Sequence, residues 1–547
     1  MNGARLVVAA LAAEGVRQVY GIPGTTIMDV LDALAGQDTV RYLSVRHEQV
    51  AASIADGYAR ASGGAGVCIA SRGPGATNMA TAFGTAYDES VPVVGIIGQV
   101  AGGIAHREAF EELDVVSMFR PVTKWAVEIT RPERIPELLQ RAIRLAVSGR
   151  PGPVVVSLPL DVLKASADVP VQRRFRPAPP RPDAARVRDA ARLLAAAERP
   201  AVIVGGGVRS FDENVTGLAE RLRAPVVTTW SRKDRFANDH PQFLGALGPG
   251  AFGCAQDAVR DADAVVALGC RFSEFTTARW TLLSPETALV HVDIDAAELG
   301  KIYVPEVGLQ ADAGLAARDL AGALDAEAPP GAAREQWLSR LRTDYLARRE
   351  LTVPPPSSAI SSAELTAALR DVLARTPAIL VADAPSFAPW IWRHVDFASP
   401  GRHIASAAGA MAWGFPAALG VQLARPDDRV ICVSGDGSFW MVAQDLETAV
   451  REKIPVVTVI ANNFAYGNTR DRQRIAHGER YFGVFYDNPD FAEFARLNGA
   501  HGERVTRAAD LGPALDRALA AGGPAVVDIV QDRHEGLPPD LTPMPAR

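Results

Sequence analysis

Residues 429–463 read RVICVSGDGSFWMVAQDLETAVREKIPVVTVIANN. The apolar run Val430–Val433 ends at Asp436, held between Gly435 and Gly437, and a second run, Ile454–Ala461, ends at Asn462 and Asn463. Between them Val442, Leu446, Ala449 and Val450 form one stripe at helical spacing, which predicts a single helix over 440–453. This is a strand–helix–strand unit of a parallel sheet. Ligands of such sheets bind beyond the carboxyl ends of the strands, so Asp436 and Asn463 are expected to turn their oxygens toward one crevice. Taken singly, GDG reads as a turn and NN as a helix cap; their pairing at two strand ends points to a ligand. A carboxylate, an amide oxygen and a loop carbonyl suit a hard divalent cation such as Mg²⁺, which commonly shares its shell with phosphate. Gly437 permits close backbone approach, and the N–H groups of Gly437 and Ser438 at a helix start favour an anion.

The same grammar extends outward. The chain has 547 residues, 48% of them hydrophobic and 22% charged, enough for about three domains of ordinary size. Two proline-rich polar stretches, 175–185 (FRPAPPRPDAA) and 348–364 (RRELTVPPPSSAISSAE), divide it into 1–174, 186–347 and 360–547. The second stretch ends in a serine suited to capping a helix. Each segment alternates Val/Ile runs (GVCIAS, VPVVGIIGQ and PVVVSLP; PAVIVGGG, APVVTTW, AVVALG and ALVHVDID; AILVADA, RVICVSG, IPVVTVIANN and PAVVDIV) with Ala-rich helical stretches. The expected fold is α/β, with three doubly wound parallel-sheet domains.

A net charge of −6 with pI near 5.9 gives no basic footprint for nucleic acid. Cys68, Cys254, Cys270 and Cys432 form no CxxC pair; buried free thiols in a reducing, cytoplasmic setting are expected. The apolar stretch 6–13 looks like a weak signal sequence, but it runs on through Glu14 and Arg17 into VRQVYGIPG, which reads as the first helix and strand of the fold. No apolar run is long enough to span a membrane.

GDG followed by NN at this distance resembles the cofactor motif of thiamine-diphosphate enzymes, and the third segment is similar to the acetolactate-synthase-like group. Further motifs carry the resemblance: RHEQVAASIADGYARASG and CIASRGPGATNMATAFGTAYDESVPVVGIIGQ in the first segment, SAAGAMAWGFPAALG (406–420) in the third. It implies that Asp436, Asn463 and the Ala465 carbonyl hold Mg²⁺, and that Gly435, Gly437 and Ser438 meet the diphosphate. Glu48, which alone reads as a first-turn charge on a helix, matches the glutamate that bonds N1′ of the aminopyrimidine and promotes the tautomer that takes the thiazolium C2 proton. Pro74 in the Gly73–Gly75 turn, Asn78 and Gln99 match positions lining the cofactor and substrate side. Met411 matches the bulky residue that enforces the cofactor's bent shape, and the Gly409 carbonyl the acceptor for its 4′-amino group. The domains would be pyrimidine-binding, central and diphosphate-binding, with active sites shared between subunits of a homodimer or homotetramer.

The resemblance implies decarboxylation of a 2-oxo acid such as pyruvate, followed by ligation to a second carbonyl; simple decarboxylation or carbon–carbon lysis is the alternative. A non-catalytic homologue is a third, against which Glu48, Asp436 and Asn463 all stand. In the middle segment, PAVIVGGGVRS (200–210) lacks GxGxxG, and Ser273 and Glu274 stand where synthases usually carry two aspartates, so FAD is weighed and not favoured. Departures also gather at the expected substrate loops. AHREAFEELD (105–114) keeps Ala109 and Phe110 but has Glu111 for the usual glutamine, with His106 and Arg107 before it, and Ser386 and Phe387 replace a Gln-His pair. Arg107 would bind a substrate carboxylate if it points inward, or is a solvated charge; Phe387 would set pocket size, or is core. These departures resemble a less defined branch of the group, in which sulfoacetaldehyde acetyltransferase is one relative.

Overall fold

The computed structural model describes residues 1–209, 212–355, 359–383 and 386–535. It contains three six-stranded sheets, every pairing parallel. The first comprises β1 (Gln18–Gly21), β2 (Arg41–Ser44), β3 (Gly66–Ser71), β4 (Val93–Gln99), β5 (Trp125–Glu128) and β6 (Val154–Pro159), in the order β2-β1-β3-β4-β6-β5. The second comprises β7 (Pro200–Val204), β8 (Val226–Thr228), β9 (Phe243–Ala246), β10 (Ala264–Leu268), β11 (Ala288–Asp293) and β12 (Val307–Gln310), ordered β12-β11-β10-β7-β8-β9. The third comprises β13 (Ala378–Ala382), β14 (His403–Ala405), β15 (Arg429–Gly435), β16 (Val456–Asn462), β17 (His501–Val505) and β18 (Ala525–Val530), ordered β14-β13-β15-β16-β18-β17. The first and third sheets thus share one topology and the central sheet has another. All are doubly wound, as expected, because central strands such as β4 and β15 are buried along nearly their whole length and need helices on both faces.

Each order reverses inside the sheet, between β1 and β3, between β7 and β10, and between β13 and β15. Crevices open at such reversals. In the third sheet Ala382 pairs with Val433 and Gly435 with Ala461, so the strand ends leading to Asp383, Asp436 and Asn463 lie level.

The first and third sheets are joined by a shared apolar core that includes Ile54, Phe83, Trp413, Phe415 and Phe439. At its centre the helix Glu48–Ser62 crosses the helix Gly414–Ala424 at glycine-only distance. A Cβ on Gly57 would lie 2.0 Å from the Ala417 carbonyl oxygen, and one on Gly420 would lie 2.0 Å from that of Ile54. Ser361 caps the helix Ser362–Arg375 as its position suggested, completing a capping box with Glu364. The four cysteines are buried and free. Among the described residues no helix is long and apolar enough to cross a membrane.

Candidate cofactor site

The expected helix over 440–453 is broken. A single turn, Asp436–Trp440, starts at the aspartate itself, and Leu446–Arg451 follows after an irregular link. Asp436 is therefore the first residue of a helical turn, 2% exposed. Its Oδ1 accepts from the Gly437 amide (2.9 Å) and the Tyr486 hydroxyl (3.1 Å), and its Oδ2 from the Phe464 amide (2.8 Å) and Asn488 Nδ2 (2.8 Å). Asn488 also donates to Asn462 Oδ1 (2.9 Å), tying the two strand ends together. All four donors are neutral. Burial outweighs them and pushes the carboxyl up to about 6.

Asn463 is also buried, its Oδ1 accepting from the Ala465 amide (3.2 Å), while Phe464 between them adopts φ +54°. A Cβ on Gly437 would lie 2.6 Å from the Tyr486 hydroxyl, so only glycine fits there. The donor set of Asp436, Asn463 and the Ala465 carbonyl is all oxygen, and a buried carboxylate lacking a cationic neighbour gains from a divalent cation. On both counts these residues fit Mg²⁺. The hydroxyl of Ser438 is already engaged: it donates to Asp383 and accepts from the Ala412 amide (2.7 Å), and Ser434 donates to the same Asp383 oxygen (3.0 Å). Asp383, Tyr486 and Asn488 complete this end of the sheet. They lie far from GDG and NN in sequence and belong to no local pattern, so sequence reasoning missed them.

Met411 is half-buried and Gly409 exposed, in the segment between β14 and the Gly414–Ala424 helix. Gly409 takes φ +74° and Ala412 φ +67°. Glu48 opens its helix beside His47, which caps it through the Gln49 amide. Asn78 Nδ2 donates to Glu48 Oε2 (2.9 Å), and a Cβ on Gly75 would lie 3.1 Å from Glu48 Oε1. The expected Gly73–Gly75 turn is instead the first turn of the helix Arg72–Glu89, and with it Pro74, Glu48 and Asn78 are gathered beyond the carboxyl ends of the first sheet's strands. The third segment pins the approach to Glu48: Asp445 accepts from the Arg46 amide (2.9 Å) and Glu447 from the Arg46 guanidinium (2.8 Å). Gln99 spends its side chain on the loop that follows it, donating to the Leu113 carbonyl (2.7 Å) and accepting from the Val100 amide (2.9 Å).

That loop carries most of the substrate candidates. His106, Glu108 and Glu111 all have positive φ, and Glu112 holds the turn by accepting from the His106 amide (2.8 Å). The side chains of His106 and Arg107 are exposed, and Phe110 is 74% exposed. The cation on the inner side of the loop is Arg72, at φ +52°, with its guanidinium 5.5 Å from the Phe110 ring centre and 3.6 Å from the Glu111 carboxylate. Phe387 lies in the core cluster that contains Ile391 and Trp392, on the packing side of the two roles weighed for it. Ser386 is half-buried near the cation end: a Cβ on Gly467 would meet its Oγ at 2.5 Å and Asn463 Nδ2 at 3.2 Å.

A cavity of about 290 Å³ lies where the three segments meet, lined among others by Arg60, Glu89, Arg232, Arg271 and His403. Neither ring nitrogen of His403 has a hydrogen-bond partner among the described residues, and burial pushes its imidazole down to about 3, so it is neutral at pH 7.

Strand ends that gather oxygen donors on the third sheet and Glu48 with Asn78 on a first sheet of the same topology, with another sheet between them in sequence, match the three-domain arrangement that the sequence resemblance implied. Family models agree in order and place: the N-terminal thiamine pyrophosphate (TPP) binding domain matches residues 1–118, the central domain 187–320 and the C-terminal TPP binding domain 383–529. The chain belongs to the thiamine pyrophosphate enzymes. Within them it is similar to acetolactate synthase large subunits. It is 37% identical to the isozyme 2 large subunit of Escherichia coli, over 99% of this chain and 98% of the other. It is 36% identical to a probable acetolactate synthase large subunit of Methanocaldococcus jannaschii, over 98% and 93%. The corresponding subunit of Parasynechococcus marenigrum is 35% identical, over 99% and 90%.

Proposed function

We propose that this chain is a thiamine-diphosphate- and Mg²⁺-dependent carboligase acting on a 2-oxo acid. The observation that carries the proposal is Asp436: a buried carboxylate satisfied only by neutral donors, level with Asn463 at the neighbouring strand end. Asp436, Asn463 and the Ala465 carbonyl would hold Mg²⁺, and Gly437 leaves room for a diphosphate to approach the backbone. Thiamine diphosphate supplies the electron sink that lets a 2-oxo acid lose carbon dioxide. Glu48, oriented by Asn78, would hold the proton at N1′ of the pyrimidine, while Met411 and the Gly409 carbonyl support that ring.

Arg72 takes the place considered for Arg107 as the cation toward a substrate carboxylate. A guanidinium fixed on a donor carboxylate would stabilise the group that must leave and so oppose its loss. Arg72, now 3.6 Å from Glu111, would exchange that partner for the carboxylate of an acceptor, the role that fits ligation. FAD stays outside the proposal: of the arginines lining the central cavity, Arg60 and Arg232 are held by Glu89, Arg150 by Glu298 and Arg271 by the Asp88 carbonyl.

Mass spectrometry of products from pyruvate and other 2-oxo acids, offered with and without a second carbonyl compound, tests the function. Ligated hydroxy-keto products are expected. Aldehyde alone would establish the decarboxylase alternative, and no turnover with cofactor bound the non-catalytic one. A flavin absorbance in the purified protein would restore FAD.

A further inference from the structure

The segment Ala405–Trp413, which carries Gly409 and Met411, is gripped by a buried cluster of four charges drawn from the other two segments. Glu89, the last residue of the helix Arg72–Glu89, has a side chain only 1% exposed. Its Oε1 accepts from two successive amides, Ala407 and Ala408 (2.6 Å for the latter), and lies 3.4 Å from the Ser406 hydroxyl. Its Oε2 accepts from Arg232, in the central segment, and from Arg60 (3.3 Å). Both arginines also donate to the Ala405 carbonyl, at 3.0 Å and 3.4 Å. Arg60 in turn pairs with Asp56 (2.7 Å), Asp56 accepts from Trp413 Nε1 (3.0 Å), and the Arg60 guanidinium lies 4.9 Å from the Trp413 ring centre. Both ends of the loop and its first half are therefore fixed by one neutral quartet, Asp56, Arg60, Glu89 and Arg232. With Ala412 held by Ser438, the stretch Gly409–Met411 is left to face a ligand.

We propose that Glu89 is a positioning residue that sets the register of the Gly409–Met411 cofactor wall. This rests on the reading of that stretch as the cofactor wall. Burial would raise the Glu89 carboxyl, but Arg232 and Arg60 reverse this and bring it to about 2, so it stays charged at every working pH. A buried ion cluster is a poor source of stability compared with well-packed apolar side chains. What it supplies here is geometry: a rigid carboxylate whose two oxygens face the loop amides on one side and the arginines on the other.

Shortening separates geometry from charge. Glu89→Asp keeps the charge beside Arg60 and Arg232 but withdraws the oxygen from the Ala407 and Ala408 amides. Glu89→Gln keeps the length and removes the charge. The readouts are the affinity for thiamine diphosphate in Mg²⁺ by calorimetry and the near-ultraviolet circular dichroism of the bound aminopyrimidine, which reports its tautomer. Glu89→Asp is expected to fold, to bind cofactor at least tenfold more weakly and to lose the wild-type tautomer signal. If it matches wild type in both readouts, or restores what Glu89→Gln loses, only charge is needed and the proposal is overturned. Should Glu89→Asp not fold, Arg232→Lys carries the test, because lysine cannot hold Glu89 and the Ala405 carbonyl together. The same losses are expected, and unchanged readouts overturn the proposal. Wild-type protein that binds no thiamine diphosphate would instead overturn the cofactor reading itself.

Discussion

Gly57→Ala places one methyl group at the crossing of the helices Glu48–Ser62 and Gly414–Ala424. The new Cβ would lie 2.0 Å from the Ala417 carbonyl oxygen, and contacts below 3.0 Å are essentially never seen, so the helices must part by at least 1.0 Å. The obstacle is backbone and cannot swing aside. Overpacking of this kind costs about 1–3 kcal/mol, toward the upper end where backbone must move. Alanine returns roughly 1 kcal/mol through its better helix propensity, leaving a net loss of about 2 kcal/mol. Glu48 stands nine residues before Gly57, roughly 14 Å along the helix at ~1.5 Å per residue. It moves with the helix, and a displacement of ~1 Å at a reacting group costs about 10²-fold in rate. The assays are a calorimetric unfolding scan and NMR of hydrogen–deuterium exchange at thiamine C2. Gly420→Ala pries open the same crossing from the other helix, so the double variant should lose less than the sum of the singles. A Gly57→Ala protein with wild-type unfolding temperature and wild-type exchange, or strictly additive losses, would refute the claim that this glycine contact sets the spacing.

Asp436→Asn should abolish Mg²⁺-dependent cofactor binding in calorimetry, because one carboxylate oxygen becomes an N–H₂ facing two donors; unchanged affinity would remove the metal-site reading. Since the Asp436 carboxyl is raised to about 6 in the folded, metal-free chain, its protonated form contributes stability that is fully present below about pH 4 and is lost as pH rises through about 6. The cation binds the carboxylate, so binding of Mg²⁺ and cofactor to the wild-type protein should release protons below about pH 6 and few above it, as calorimetry in buffers of different ionisation heat would read. Glu48→Gln should retain cofactor and lose most C2–H exchange; exchange at the wild-type rate would assign Glu48 a structural role. Arg72→Ala should raise KM for an acidic acceptor by about one to two decades, as expected for a lost charge-assisted contact of roughly 1.5–3 kcal/mol, while Arg107→Ala leaves kinetics unchanged. The reverse pattern would return the role to Arg107. Phe387→Ala should destabilise by about 3–5 kcal/mol as a cavity in the core, visible as a lower unfolding temperature; a stable variant accepting longer 2-oxo acids would make Phe387 a pocket residue after all.

Most interior strands were legible because burial on both faces demands continuous Val and Ile, and β3, β4, β6, β7, β8, β10, β11, β13, β15, β16 and β18 fall within the runs that show it. Of the strands that carry no such run, β2, β5, β9, β12, β14 and β17 are at sheet edges, where one side lacks a partner strand and short, mixed sequences such as WAVE, FLGA and VGLQ suffice, while the four-residue β1 (QVYG) is the interior exception. The helix after GDG was misread as continuous because its apolar stripe is real, though it is interrupted at Val442–Asp445. Asp436 and Asn463 were legible as candidates because each lies at a strand end where a parallel sheet presents ligands, whereas Glu48 was singled out by the resemblance alone. Tyr486 and Asn488, which hold Asp436, and Asp383 and Glu89, which hold Ser438 and the loop after β14, act across long sequence separations and leave no periodic trace. Arg72 and Arg107 show the same limit from the substrate side. Both are arginines flanking a cofactor motif, and it is the fold of the facing loop that brings Phe110 and Glu111 to the Arg72 guanidinium and leaves Arg107 exposed. Left-handed backbone at the first residue of the helix Arg72–Glu89 and at His106, Glu108 and Glu111 in the facing loop shapes this meeting, and residue types that rarely adopt that conformation gave no sign of it in the sequence.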